Sequence, residues 1–183
     1  MRRWAWTLAL LALPACGYNR IQTLDEQVNG YAGQIKVQLQ RRADLVPNLV
    51  ETVRGYAQQE VTIFTAVADA RSRLSGAVQG GNLQEMAAAN QGLTGALGRL
   101  LAISENYPQL KSNENFRALQ DELTGTENRI SVARQDYNAA VGQFNSFIRR
   151  FPYNLTAKVF GLSKPREYFE AQTGSEKAPE VKF

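Results

Sequence analysis

The residue with the most specific chemistry in this sequence is Cys16, the only cysteine among 183 residues. It follows Leu13-Pro14-Ala15, and an apolar stretch from Trp4 to Leu13 stands behind the basic pair Arg2-Arg3. A basic start, a short apolar region and a small residue before the cut are typical of a secretory signal. A cysteine directly after that small residue is typical of a bacterial lipobox. We therefore predict that residues 1–15 are a lipoprotein signal peptide and that the Cys16 thiol carries diacylglycerol.

The alternative for this region is an uncleaved N-terminal anchor with an incidental cysteine. The run from Trp4 to Ala15 is twelve residues long, whereas a helix needs about 17–20 residues to span a bilayer. The lipobox interpretation predicts a protein of the bacterial cell envelope, lipid-anchored through Cys16 and facing the periplasm. Outer and inner membrane both stay open.

The composition argues against an enzyme, because the chain has no histidine. Histidine is the commonest general base and metal ligand, so zinc sites of the Cys/His type and bundle di-iron sites are excluded. No Ser-x-x-Lys or Gly-x-Ser-x-Gly pattern occurs. We predict no catalytic residue, no metal and no cofactor. The formal net charge of +4 includes two arginines of the signal, and the remaining balance is too even to indicate nucleic-acid binding.

Four charged residues stand at or beside positions that a helical apolar pattern would bury: Glu60, Arg71, Glu127 and Arg134. An ionised carboxylate in a core costs several kcal/mol unless it is paired. We predict inter-helix ion pairs, Glu60 with Arg134 or Arg71 with Glu127, that fix the helix register. A solvated Glu60 and a binding or catalytic carboxylate are the alternatives.

Two asparagines, Asn138 and Asn145, stand seven positions apart, each one position after an apolar seam residue. They form a polar line along the edge of a predicted helix. We expect them to make inter-helix hydrogen bonds worth about 1 kcal/mol each. A ligand site is the alternative.

The element that must hold most of these residues is one long helix. Apolar positions recur between Phe116 and Phe151 at spacings that alternate between three and four, which is a seam over five heptads. Asn113 is its predicted N-cap, and Pro152 ends it. The seam positions are Phe116, Leu119, Leu123, Thr126, Ile130, Ala133, Tyr137, Ala140, Phe144, Phe147 and Phe151.

Three further apolar stripes predict three more long helices. The first begins with Ile21–Leu39; because the residue before a proline avoids the α region, Val46-Pro47 predicts a kink or boundary after it. A second helix then continues to about Ser75-Gly76. The third, Leu83–Leu100, begins after Asn82, which has Glu85 three residues later as in a capping box.

These stripes predict an all-α fold, an elongated antiparallel bundle of about four long helices in residues 16–163; a coiled-coil oligomer is the competing arrangement. A short C-terminal helix is expected over Leu155–Phe160, and residues 164–183 form an extended tail that packs on or near the bundle. The aromatic and basic residues between Phe151 and Phe169 either close the bundle end as a lid or face a membrane or partner.

Several segments resemble one known family in combination. They are LQRRADLVPNLVETVRGYAQQE (39–60), TENRISVARQDYNAAVGQFNSF (126–147), EYFEA (167–171) and APEVKF (178–183). On these segments the chain resembles the LemA family of bacterial envelope proteins from Tyr18 to Phe183. The resemblance implies a membrane-attached, elongated helical bundle with no established enzyme activity and no catalytic residues to carry over. Members typically have a transmembrane helix before the Tyr-Asn pair, where this chain has the lipobox.

Together these observations predict a non-enzymatic envelope scaffold or protein-interaction module. Its partners are the membrane, through the lipid on Cys16, and an envelope protein; membrane proteases are candidates that the resemblance suggests. The alternative is a small-molecule or peptide-binding module with a cleft between the third and fourth long helices, near Gly92, Gly95 and Gly98.

Overall fold

The structure, a computed structural model, describes residues 15–169, with side chains from Gly17 onward. All regular secondary structure in this range is helical, which confirms the predicted all-α class. The predicted signal peptide, Ala15 apart, and the tail beyond Phe169 lie outside the described residues. The helices are α1 (Ala15–Arg54), α2 (Val61–Gly80), α3 (Leu83–Ile103), α4 (Pro108–Ser112), α5 (Glu114–Arg149) and α6 (Tyr153–Val159), with a 3-10 turn at Ser104–Asn106.

The frame of the fold is the pair formed by α1 and α5, which have 40 and 36 residues. At 1.5 Å per residue they are about 60 and 54 Å long. Arg42 of α1 contacts Glu127 of α5, while Asp25 of α1 and Asn145 of α5 bind the same residue, Arg166. Positions therefore rise along α1 as they fall along α5, so the two helices are antiparallel.

The α2–α3 hairpin covers only part of this pair. It begins next to the end of α1, and its turn at Gly81 comes back to Lys36, near the middle of α1. One apolar core runs through the bundle and continues beyond the hairpin, where α6 and the segment that follows it complete the cover. Among residues 15–169, no helix has both the length and the hydropathy needed to cross a membrane.

The heptad seam of α5 is confirmed over most of its length. Leu119 and Phe147 are half-buried, the other positions up to Phe144 are buried, and Ile148 takes over at the end of the helix. The seam position predicted for Phe151 is wrong, because α5 ends at Arg149 and the Phe151 side chain is 78% exposed.

The N-caps predicted at Asn82 and Asn113 are confirmed. Asn82 Oδ1 accepts hydrogen bonds from the main-chain N–H groups of Gln84 (2.9 Å) and Glu85 (3.3 Å) at the start of α3. Asn113 Oδ1 accepts from the N–H of Phe116 (2.9 Å) at the start of α5. A side-chain oxygen at this position satisfies N–H groups that have no partner within the helix.

The boundary predicted at Val46-Pro47 is wrong, because α1 continues through Pro47 to Arg54 and the chain reverses over residues 55–60 instead. A proline inside a helix has no N–H to give to the carbonyl four residues earlier, which here is that of Ala43. The Arg71 side chain of α2 supplies the missing donor, since its Nε lies 2.9 Å from the Ala43 oxygen. A contact from another helix therefore offsets the tendency of Pro47 to end the helix.

We predict that this contact couples Arg71 to Pro47 energetically. Arg71→Met leaves the Ala43 carbonyl without its donor and should lower the free energy of unfolding by about 1–3 kcal/mol. Pro47→Ala restores a main-chain N–H, so Arg71→Met should cost about 1 kcal/mol less in that background. Urea denaturation of the wild type, both single variants and the double variant measures the coupling.

The matched control is Arg73→Met, which removes an exposed arginine two residues along α2 and should change stability by less than about 0.5 kcal/mol. Equal losses for Arg71→Met with and without Pro47 would contradict this role for Arg71.

Candidate functional site

A buried ionic cluster joins three helices at the middle of the bundle. Arg42 of α1 is only 5% exposed. Its Nη1 donates to Asn90 Oδ1 of α3 at 2.9 Å and to the Glu127 carboxylate of α5. The predicted pair of Glu127 with Arg71 is wrong, because Glu127 binds Arg42 and Arg71 binds the Ala43 carbonyl.

A second guanidinium, that of Arg134, lies near the same carboxylate, so two cations share one anion. Burial lowers the pKa of both Arg42 and Arg134, and the negative charge of Glu127 opposes that shift in each. Within the described residues the Nε atoms of both arginines have no hydrogen-bond partner. The Arg134 guanidinium stacks instead over the ring of Phe169, with its Cζ 4.7 Å from the ring centroid.

Glu60 is not part of this cluster and does not occupy a seam position. It is a half-buried residue of the α1–α2 loop, directly before α2, where a carboxylate is favoured by the helix dipole. The same loop bonds to the start of α5 through Tyr56 Oη and Asn113 Nδ2, which are 3.0 Å apart. Arg134 is 21 residues further along α5, about 30 Å at helical rise, so the predicted Glu60–Arg134 pair is also wrong.

Asn138 and Asn145 hold an extended segment of the chain, residues 164–169, against α5. Asn145 accepts from the N–H of Arg166 (2.8 Å) and donates to its carbonyl (2.9 Å). Asn138 does the same with Phe169, at 2.8 and 3.0 Å. The two side chains therefore bind main chain rather than a neighbouring helix, and we call this arrangement the asparagine clamp.

The spacing of the clamp matches the geometry of its two parts. Seven residues of helix rise about 10.5 Å, and three residues of extended chain rise about 10 Å. Asparagines seven positions apart on α5 therefore meet residues three positions apart on the segment. An amide side chain has both an NH2 donor group and an oxygen acceptor, so it can bind the carbonyl and the N–H of the same extended residue.

Side-chain contacts hold the same segment to its other neighbours. The Arg166 guanidinium donates hydrogen bonds to both carboxylate oxygens of Asp25 on α1, at 2.7–2.9 Å. Tyr137 Oη donates to the carbonyl of Glu167 at 2.9 Å. Burial raises the pKa of Tyr137, with Arg166 opposing the shift and Glu167 adding to it.

The cleft predicted near Gly92, Gly95 and Gly98 is not found there. All three glycines are exposed on α3, and a Cβ added at any of them would meet no atom within 4 Å. A cavity of about 390 Å³ lies instead between the α2–α3 turn and residues 161–168. Within the described range, no group of three or more Cys, Asp or Glu side chains is placed to hold a metal ion.

Comparison with known proteins identifies relatives over most of the chain. The family model of the LemA family matches residues 31–183. The chain is similar to magnetosome protein MamQ 2 of Paramagnetospirillum magneticum, at 30% identity over 188 residues that cover 89% of this chain and 68% of the relative. Magnetosome protein MamQ of Magnetospirillum gryphiswaldense is 27% identical over 180 residues, covering 86% and 66%. The ionic cluster and the asparagine clamp both lie within the residues that the family model matches.

We predict that Glu127 stabilises the bundle more than a surface acid does. Glu127→Gln keeps an acceptor but leaves the buried Arg42 and the half-buried Arg134 without a counter-charge. Because the Glu127 side chain is 41% exposed, solvent screens part of the loss, and we expect about 1–3 kcal/mol from urea denaturation. Glu122→Gln, which breaks an exposed pair with Arg41 on the same two helices, should cost less than about 1 kcal/mol. Equal effects would contradict the role of the cluster.

We predict that the asparagine clamp controls access to the extended segment. Asn138→Ala and Asn145→Ala each remove two hydrogen bonds, which should speed trypsin cleavage after Arg166 roughly tenfold while circular dichroism stays unchanged. Asn128→Ala, an exposed asparagine of the same helix, is the control and should leave the cleavage rate alone. Cleavage of the clamp variants at the wild-type rate would show that the segment is held by other contacts.

Proposed function

We propose, because the chain belongs to the LemA family, that it is a membrane-anchored envelope protein whose helical bundle faces the periplasm. In this proposal the bundle acts as a non-enzymatic scaffold or protein-interaction module. Its anchor is the lipid on Cys16, and its partner is another envelope protein.

The observation that carries the proposal is the antiparallel pair of α1 and α5, which extends over about 54–60 Å. Such a length separates the anchored end from the far end of the bundle. Specific polar contacts hold the pair along its length: Arg42 with Glu127 near the middle, and the Arg166 contacts with Asp25 and Asn145 nearer the start of α1. An elongated body that presents surfaces at different distances from a membrane suits a scaffold better than an enzyme.

The polar groups near the core support a structural rather than a catalytic role. Arg42, Arg71, Asn138 and Asn145 each bind a group of another segment of the chain. The chain contains no histidine that could move a proton near neutral pH. The names of the relatives refer to a cellular structure, the magnetosome, and to no reaction.

A groove along the α1–α5 pair offers a surface for a partner protein. It is lined by Gly30, Gly33 and Val37 from α1 and by Val132 from α5, among others. Val37 and Val132 are 63% and 56% exposed. Small residues beside exposed apolar ones let another helix approach closely, which is a common mode of peptide and helix recognition.

We predict that Cys16→Ser abolishes labelling by palmitate in growing cells. The substitution removes the thiol to which the lipid is attached, so the unprocessed chain with residues 1–15 should accumulate. Metabolic labelling and mass spectrometry of the intact protein provide the measurement. Asn19→Ser, an exposed polar change one turn later, is the control and should leave labelling intact. Full labelling of Cys16→Ser would refute the lipid anchor.

The scaffold part of the proposal is tested in intact cells with a photo-crosslinking residue. Benzoylphenylalanine is placed at Val37 or Val132 in the groove, and at exposed Val61 on α2 as the control. A protein adduct of defined mass is expected at the groove positions in several-fold excess over the control. No protein adduct at either groove position would contradict a partner along this face.

A further inference from the structure

Helix α6 is fixed to the end of the bundle where α1 begins. Gly17 faces Tyr153 so closely that an added Cβ would stand 2.6 Å from the Tyr153 Cδ1. The ring of Tyr18 lies 4.7 Å from that of Phe160, and Tyr153 stacks on Phe147 of α5 with ring centroids 4.2 Å apart. The short helix is therefore clamped between the first turn of α1 and the last turn of α5.

Apolar side chains of α6 and of the residues that flank it face solvent. Phe151, Leu155, Val159 and Phe160 are 78%, 56%, 75% and 50% exposed. They are four of the nine large hydrophobic residues that are exposed in the described part of the chain, and they fall within ten consecutive positions. Single exposed apolar residues are normal on a protein surface, whereas a cluster marks an interaction site.

The buried side of the same helix explains why this face points outward. Thr156 and Ala157 are 3% and 0% exposed and pack into the bundle. Leu155 and Val159 lie one turn apart on the opposite side. The bundle therefore covers one side of α6, and Leu155 and Val159 stay exposed on the other side beside Asn154 and Lys158.

Basic residues predominate near α6, and the first acidic residues of α1 are Asp25 and Glu26. From Arg149 to Lys164 the chain carries four basic residues and no acidic one. The first ten residues of α1, positions 15–24, contribute Arg20 and again no acid. An apolar patch surrounded by basic residues suits the interface of a membrane with anionic lipids, where the apolar groups enter the headgroup region and the cations bind lipid headgroups.

We propose that the outer face of α6 lies against the bilayer and forms a second membrane contact beside the anchor. The proposal rests on the proposed function, because the anchor brings this end of the bundle to the membrane. Cys16 directly precedes Gly17, about 3.8 Å away between Cα atoms, and Gly17 touches Tyr153. The bundle therefore meets the lipid surface through α6 and not through the first turn of α1 alone.

The test uses the full chain in its native membrane, with benzoylphenylalanine at Phe151, Leu155 or Val159. After irradiation, phospholipid adducts are identified by mass spectrometry. We expect several-fold more lipid adduct at these positions than at Val37, Val61 and Val132, which are equally exposed valines elsewhere on the bundle. In vesicles of phosphatidylcholine with added phosphatidylglycerol, Arg150→Glu with Lys158→Glu should lower the lipid adduct at Leu155 several-fold. Arg129→Glu, an exposed change on α5, should not.

The outcomes separate this inference from the proposed function. If the chain stays in the membrane fraction but lipid adducts on α6 only equal those of the controls, the α6 contact is refuted and the anchor stands. Protein adducts in place of lipid adducts at Leu155 and Val159 would also refute it. A chain that leaves the membrane fraction refutes both. An adduct at Leu155 unchanged by the double charge reversal would contradict the role of the basic residues.

Discussion

The rest of the fold depends on the continuity of α1 through Pro47. A helix that ended before Pro47 would be about 48 Å long instead of about 60 Å, and α5 could not pair with one partner over its 36 residues. The missing hydrogen bond at Pro47 falls on the Ala43 carbonyl, where Arg71 reaches across from α2. The same contact joins α2 to α1. The carbonyl of α1 that Pro47 leaves without a donor is thus the point at which Arg71 of α2 binds. Arg42, the neighbour of Ala43, carries the ionic cluster; the middle of the bundle is thus organised by two adjacent residues of α1.

The α2–α3 hairpin leaves one end of the α1–α5 core uncovered, and the chain covers that end with an extended segment rather than another helix. Extended main chain has polar groups that need partners once they are brought against a core, and no sheet is available among the described residues. The asparagine clamp supplies those partners to Arg166 and Phe169. It lets Phe169, which is 4% exposed, and Leu162 pack onto the core. The segment is therefore part of the fold. Its hydrogen bonds to Asn138 and Asn145 also fix which of its residues lie opposite each position of α5.

Local patterns were enough to predict the all-α class, the α5 seam and the two asparagine N-caps, because each depends on residues within a few turns of one another. The errors involve contacts between distant parts of the chain. Pro47 has a local preference for a boundary, and only Arg71, 24 residues later, shows why the helix continues. Because the local pattern at Pro47 indicates that the helix ends there, nothing near Arg42 in sequence indicates its place in the core. The seven helical residues from Asn138 to Asn145 rise by the same distance as three residues of extended chain. Nothing near them in sequence indicates which extended residues they bind.

The second guanidinium in the cluster, that of Arg134, costs desolvation energy, and we interpret the cluster as a feature that fixes the alignment of α1 with α5. An apolar seam of this length would tolerate a shift of one heptad between α1 and α5, because the buried side chains are similar at each repeat. A shift would move Glu127 and Arg134, which are both on α5, away from Arg42 and leave the buried Arg42 guanidinium unpaired, which costs more than the apolar contacts regain. Replacing all three by apolar residues could leave stability unchanged, yet it would remove the feature that distinguishes one alignment from the next. The alignment of α1 with α5 is therefore the property that the cluster preserves.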